Sequence, residues 1–151
     1  MGRQRILVTG GAGFIGSNFI RRLLATRRDV AVVNFDKLTY SGNLENLAEI
    51  ARNPHYEFLR GDIADAAAVR PLLERGFDVL VNFAAETHVD RSIEDSGPFL
   101  RTNVLGTQTL LDAARLHPPR LFVHISTDEV YGSAGPGENF NEERILDPRS
   151  P

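Results

Sequence analysis

Leu7-Val8-Thr9-Gly10-Gly11-Ala12-Gly13-Phe14-Ile15-Gly16 reads as a buried strand, a glycine turn and the start of a helix. Glycines without Cβ atoms let the backbone approach a ligand closely, and the free N–H groups of a helix's first turn point at an anion. The spacing reads as Gly10-x-x-Gly13-x-x-Gly16 and, from Gly11, as Gly-x-Gly-x-x-Gly. A strand-like run (Ile6, Leu7, Val8) precedes the turn. A helical stripe of Ile15, Phe19 and Leu23, flanked by Ile20 and Leu24, follows it, and this is the context a dinucleotide fingerprint requires. Asp36, about twenty residues past the last glycine, ends a second apolar run (Val30, Ala31, Val32, Val33, Phe35), where a carboxylate would bind a ribose diol.

Outward from that turn, apolar runs of strand length alternate with helical patterns along the chain, which predicts an α/β fold: a doubly wound parallel sheet of Rossmann type. Strands are expected near 4–9, 30–35, 56–60, 78–83 and 120–125, and helices near 14–26, 43–52, 66–75 and 97–116. The last carries Leu100, Val104, Thr107, Leu111 and Ala114 at helical spacing, widened by Leu105 and Leu110, so most of its girth expects burial; Pro118 and Pro119 stop it. Pro71 falls inside the helix at 66–75 and predicts a late start or a kink there, between the end signals Asp65 and Gly76. After Tyr131 a glycine-rich stretch and an acidic segment ending in Pro148-Arg149-Ser150-Pro151 predict an exposed loop.

Ligands of doubly wound sheets bind beyond the carboxyl ends of the strands, so the informative residues should follow each strand. Asp62-Ile63 offers either an acceptor for an adenine amino group with an apolar side chain for the ring, or a helix-entry aspartate. Ala84-Ala85 lets a flat ring or ribose lie on the backbone, or else serves close helix–sheet packing. His88, Asp90 and Arg91 form a polar cluster, readable as a loop tied by an Arg–Asp pair. In Ser126-Thr127-Asp128-Glu129-Val130-Tyr131-Gly132, two adjacent carboxylates and a hydroxyl can divide acid and base labour if burial holds one carboxyl protonated; a solvated acidic turn is the alternative.

A chain of 151 residues is the size of one domain with a substantial core. Net charge −3, with no basic run beyond Arg21-Arg22 and Arg27-Arg28, argues against nucleic acid or an anionic membrane as partner; those arginines read as a solvated helix face. There are no cysteines, so disulfides and thiolate metal sites are excluded, and no metal site is expected. Neither a signal-peptide pattern nor an apolar run of membrane-spanning length is present, so the expected compartment is the cytoplasm.

Four segments together resemble the extended short-chain dehydrogenase/reductases and, within them, the dTDP-glucose 4,6-dehydratase family: Thr9–Gly16, Asp36-Lys37-Leu38-Thr39-Tyr40-Ser41-Gly42-Asn43, Ala84-Ala85-Glu86-Thr87-His88-Val89-Asp90-Arg91-Ser92 and Ser126–Gly132. The resemblance spans essentially the whole chain. It implies NAD as cofactor, held by Gly10, Gly13, Phe14, Ile15, Gly16, Asp36, Lys37, Leu38, Thr39, Asp62, Ile63, Phe83, Ala84, Ala85, Glu86 and Thr102, with Asp36 favouring NAD over its 2′-phosphorylated form. Thr87, His88 and Thr127 would meet substrate; Thr87 stands where the family usually has serine. The implied reaction converts dTDP-glucose to its 4-keto-6-deoxy form. The C4 hydroxyl is oxidised, water leaves across C5 and C6, and the hydride returns to C6. Glu129 would remove the C5 proton, Asp128 would protonate the departing C6 hydroxyl, and Thr127 would hydrogen-bond the C4 oxygen.

The resemblance also implies a Tyr-x-x-x-Lys pair, and this sequence does not hold one: its tyrosines are Tyr40, Tyr56 and Tyr131, and its only lysine is Lys37. The expectation is therefore an incomplete NAD-binding domain over 1–151, lacking a carboxy-terminal substrate domain, inactive alone and homodimeric when complete. A related sugar-nucleotide epimerase or decarboxylase is the competing enzyme reading, and a non-catalytic dinucleotide-binding module the competing reading from another class.

Overall fold

The computed structural model describes residues 2–149. Met1, Ser150 and Pro151 lie outside the described residues, the last two at the end of the segment expected to be an exposed loop. Five parallel strands form one sheet: β1 (Gln4–Thr9), β2 (Val30–Asp36), β3 (Tyr56–Arg60), β4 (Val79–Asn82) and β5 (Leu121–His124), in the order β3-β2-β1-β4-β5. Register pairs Leu7 with both Val33 and Leu80, which makes β1 the centre of the sheet. Both faces are covered, so the central strands read as continuous apolar runs and do not alternate.

Successive side chains of β1 feed opposite faces. Leu7 joins Val33, Phe35 and Leu80 against Val69, Leu72 and Leu73 of α2 (Ala66–Glu74) and Leu110 and Ala113 of α5 (Thr107–Leu116). Ile6 and Val8 join Val32 and Val81 against Ile20 of α1 (Phe14–Thr26) and Leu47 of the 3₁₀ helix Leu44–Ile50. Each fully buried leucine contributes about 2 kcal/mol of transfer free energy. This is the doubly wound, Rossmann-type sheet that the alternation of runs predicts.

Several elements differ from expectation. The segment expected as a helix over 43–52 is a 3₁₀ helix capped by Asn43, whose side chain accepts from the Glu45 N–H. α2 runs through Pro71 without a late start: Asp65 caps it by accepting from the Ala67 N–H at 2.9 Å, and its buried face offsets the lost internal hydrogen bond. Val89–Glu94, which none of the expected helices covers, is a short helix, α3; the reading of His88, Asp90 and Arg91 as a tied loop is not met, since among the described residues Arg91 lies over the Tyr40 ring and makes no pair with Asp90.

The long helix expected over 97–116 is divided into α4 (Gly97–Phe99), a π-helical segment (Leu100–Gly106) and α5. Its girth is not mostly buried. Leu100 and Val104 are each about 60% exposed, and Leu111 and Leu116 are exposed as well, because among the described residues only one face of the helix meets the sheet. From 132 to 149 the described chain is a largely exposed loop as expected, pinned at its base where the Asp147 N–H donates to the Val130 carbonyl at 2.9 Å.

Candidate functional site: a cleft along the carboxyl ends of the strands

A cavity of about 760 Å³ runs along the carboxyl edge of the sheet. At its centre β1 passes into the glycine turn. Gly10 has φ +70°, and a Cβ there would stand 2.4 Å from the Ala84 nitrogen, so β4's continuation can approach only a glycine. The Gly10 N–H donates to the Phe35 carbonyl and the Gly13 N–H to the Gly10 carbonyl, which ties the turn between β1 and α1 to the end of β2. Gly13 occupies the cap position of α1 and supplies no side-chain acceptor, so the first-turn N–H groups face the cleft. Phe14 is 82% exposed and Ile15 62%; both line the cleft, so Ile15 is not the core residue its helical stripe predicts.

Beside the turn, at the end of β2, Asp36 is buried and accepts from the Ala12 N–H through Oδ2 and from the Leu38 N–H through Oδ1, both at 2.8 Å. This fixes the carboxylate at the cleft wall with lone pairs to spare. Leu38, the one non-glycine residue with positive φ among those described (56°), lies in the strained left-handed region that this bond helps to hold. At the end of β3, Asp62 accepts from the Ala64 N–H at 2.9 Å and stands 3.0 Å from Lys37 Nζ and 3.2 Å from Arg101 Nη2. Burial opposes its charge, but the Ala64 N–H and the two cations together hold its carboxyl below the usual range.

Across the turn, Phe83, Ala84, Ala85, Glu86, Thr87 and His88 line the cleft after β4, and Thr102 and Asn103 face them from the π segment. The Asn103 side chain clasps Glu86 by accepting from its N–H and donating to its carbonyl, each at 2.9 Å. Beneath, buried Asn82 accepts from the Thr9 hydroxyl and from the Ala84 N–H at 3.2 Å, and its amide meets His124 Nδ1 at 3.0 Å. Apart from the local Asn82–Ala84 bond, sequence spacing gives no sign of these links, because each joins segments far apart in the chain.

After β5, Thr127 caps a short 3₁₀ helix (Asp128–Tyr131), its hydroxyl accepting from the Glu129 N–H at 3.2 Å. Thr127 and Glu129 line the cleft; Asp128 does not, nor does Leu38, whereas the other residues expected at the site do. Thr127, Asp128 and Glu129 are all exposed. The burial that would bias two adjacent carboxyls toward different protonation states is therefore not supplied by the described residues, contrary to that condition of the acid/base reading.

Tested against an anionic dinucleotide, the residues present fit. Cβ atoms at Gly10 and Gly16 would stand 2.4 and 2.5 Å from neighbouring backbone, so the tight turn requires glycine there; the helix start is uncapped, the exposed apolar pair flanks it, and fixed acceptors stand at the ends of β2 and β3. Among the described residues no helix is long and apolar enough to cross a membrane, and no group of three His, Asp or Glu side chains could hold a metal ion.

Residues 7–151 match the family described as GDP-mannose 4,6 dehydratase. The dTDP-glucose 4,6-dehydratase of Actinoplanes sp. is 52% identical over 153 residues, which cover 98% of this chain and 47% of that protein. DesIV, a dTDP-glucose 4,6-dehydratase from Streptomyces venezuelae solved with NAD bound, superposes with a TM-score of 0.91 at 49% identity, covering 97% of this chain and 46% of that one. The UDP-glucose 4-epimerase of Thermus thermophilus, solved as an NAD complex, superposes with a TM-score of 0.84 at 34% identity, covering 97% and 45%. The chain spans less than half the length of each of these relatives.

Proposed function

Because the chain belongs to the GDP-mannose 4,6 dehydratase family, we propose that it is the cofactor-binding portion of an NAD-dependent enzyme that dehydrates dTDP-glucose to the 4-keto-6-deoxy sugar nucleotide. The observation that carries the reading is the single cleft that gathers the glycine turn, the acidic ends of β2 and β3, and Thr127 with Glu129. Gly10, Gly13 and Gly16, with the α1 first turn, hold the diphosphate; Phe14 and Ile15 cover it. Asp36 takes the adenosine ribose diol, while Asp62 and Ile63 take the adenine. Ala84, Ala85, Glu86 and Thr102 flank the nicotinamide half.

NAD, when bound, supplies a hydride acceptor at the sugar's C4 and a donor for C6. The chain's own part is proton handling. Thr127 hydrogen-bonds the C4 oxygen, which strengthens the acidity of the C5 proton once C4 is a ketone. Glu129, which lines the cleft, takes that proton and returns one to C5 as the hydride reaches C6. Asp128, outside the lining of this chain's cleft, would in the complete enzyme deliver one to the departing C6 hydroxyl, so that one water leaves for each sugar processed. Thr87 and His88 contact the sugar nucleotide from the end of β4.

The adjacent acids after β5 favour dehydration over epimerisation, which needs no proton delivered to a leaving hydroxyl. The tyrosine–lysine pair that would take the C4 hydroxyl proton is not in this sequence, so the 151-residue chain alone should not turn over dTDP-glucose. In an enzyme carrying that pair, Glu129→Gln should leave C4 oxidation possible while stopping solvent deuterium from entering C5. Undiminished incorporation at C5 would overturn the assignment of Glu129.

A further inference from the structure

Tyr40 is absorbed by neither the cradle nor the acid/base group, yet it makes the link that crosses the cleft. Its hydroxyl donates to Glu86 Oε2 at 2.9 Å, joining the segment after β2 to the segment after β4. Those strands flank β1 on either side, so the link joins the two sides of the sheet's carboxyl edge between which β1 passes into the glycine turn; Glu86 lines the cleft, and Tyr40 and Arg91 stand at its margin. Both anchorages are held. On the β2 side the Leu38 N–H is tied to Asp36, the Gly42 N–H donates to the Thr39 carbonyl, and the Asn43 N–H donates to the Ala12 carbonyl. On the β4 side Asn103 clasps both backbone groups of Glu86, and the Arg91 guanidinium lies 3.9 Å over the Tyr40 ring.

We propose that Tyr40, Glu86 and Arg91 form a latch across the cleft that retains the dinucleotide between catalytic cycles. The proposal rests on the dinucleotide reading of the cleft. A hydrogen bond to a carboxylate and a cation–π contact are each stronger than a neutral surface contact, while Tyr40 is about half exposed, so the latch can open to solvent. Retention suits a reaction in which the hydride that leaves the sugar returns to it, since loss of the reduced cofactor midway would strand the ketone. Burial and the neighbouring Glu86 raise the Tyr40 pKa, so the hydroxyl keeps its proton and remains a donor at neutral pH.

The latch joins protein groups only, so it impedes entry as well as exit, and this separates it from a direct ligand contact. The test uses the full chain and NADH as probe: association by stopped-flow fluorescence, and release by chasing bound NADH with excess NAD. Tyr40→Phe, which removes only the hydroxyl, should raise both the association and the release rate roughly three- to tenfold, leaving Kd within about twofold. Arg91→Met, which removes only the cation over the Tyr40 ring and lies outside the cleft lining, should show a smaller rise in both rates than Tyr40→Phe. Unchanged rates in Tyr40→Phe, or a rise in release alone, would overturn the latch while leaving the dinucleotide site standing. Failure of the unaltered chain to bind NADH would overturn both.

Discussion

Asp36 and Asp62, after β2 and β3, hold their carboxylates on backbone N–H groups within the shelter of the sheet, whereas Asp128 and Glu129, after β5, stand in solvent on a four-residue 3₁₀ turn. The strands beneath do not by themselves explain this: β2 is packed on both faces, but β3 and β5 are the two edge strands of the sheet, and Leu121 of β5 is 51% exposed. The end of the cleft proposed to take the adenosine thus has its carboxylates held by contacts within this chain. The end that carries the acids is positioned by the chain but left uncovered by it. Preorganisation of a carboxylate needs fixed donors, which the first region has; separating the protonation states of two carboxyls needs burial, which the second lacks.

The contrast breaks most readily at the turn that joins the two regions. Gly10→Ala places a methyl 2.4 Å from the Ala84 nitrogen at a positive φ and should cost about 3 kcal/mol, measured as a drop in the denaturant midpoint. Asp36→Ala leaves the Ala12 and Leu38 N–H groups without their acceptor. A loss of about 2 kcal/mol is expected in the same assay, together with weaker dinucleotide binding.

Asp62→Asn should have a smaller effect with a distinctive pH dependence. Burial opposes the Asp62 charge, but the Ala64 N–H, Lys37 and Arg101 outweigh it and depress the pKa. A depressed carboxyl contributes stability that is complete above its unfolded pKa and fades as pH falls through the folded one. The variant should therefore lag by roughly 1 kcal/mol or less near neutrality, with the gap closing in acid. Denaturant unfolding of both proteins across the acidic range checks this, and a gap that widened in acid would contradict it. At the far end of the scale, Leu121→Ser on β5 should cost under about 0.5 kcal/mol, since the described residues leave that side chain half in water.

All five strands were legible: the runs at 4–9, 30–35, 56–60, 78–83 and 120–125 correspond to β1 to β5 within a residue. For β1 and β2 the reason is burial on both faces, which demands a continuously apolar run. Legibility fell where several distant segments decide the outcome. The apolar stripe of Leu100, Val104 and Leu111 implies a burial partner that the described residues do not supply. The Asn103 clasp and the Tyr40–Glu86 bond join groups separated by seventeen and forty-six positions, beyond the reach of any local periodicity. Asp128 and Glu129 could be recognised as a chemically apt pair, but the burial that apportions their roles is a tertiary property that adjacency cannot reveal.

Calorimetric titration of the chain with NADH, and in parallel with NADPH, tests the central claim most directly. A finished adenosine end predicts saturable binding of NADH, with NADPH weaker by about tenfold or more because the fixed Asp36 carboxylate opposes a 2′-phosphate. Absence of saturable NADH binding, or equal affinity for the two, would contradict it.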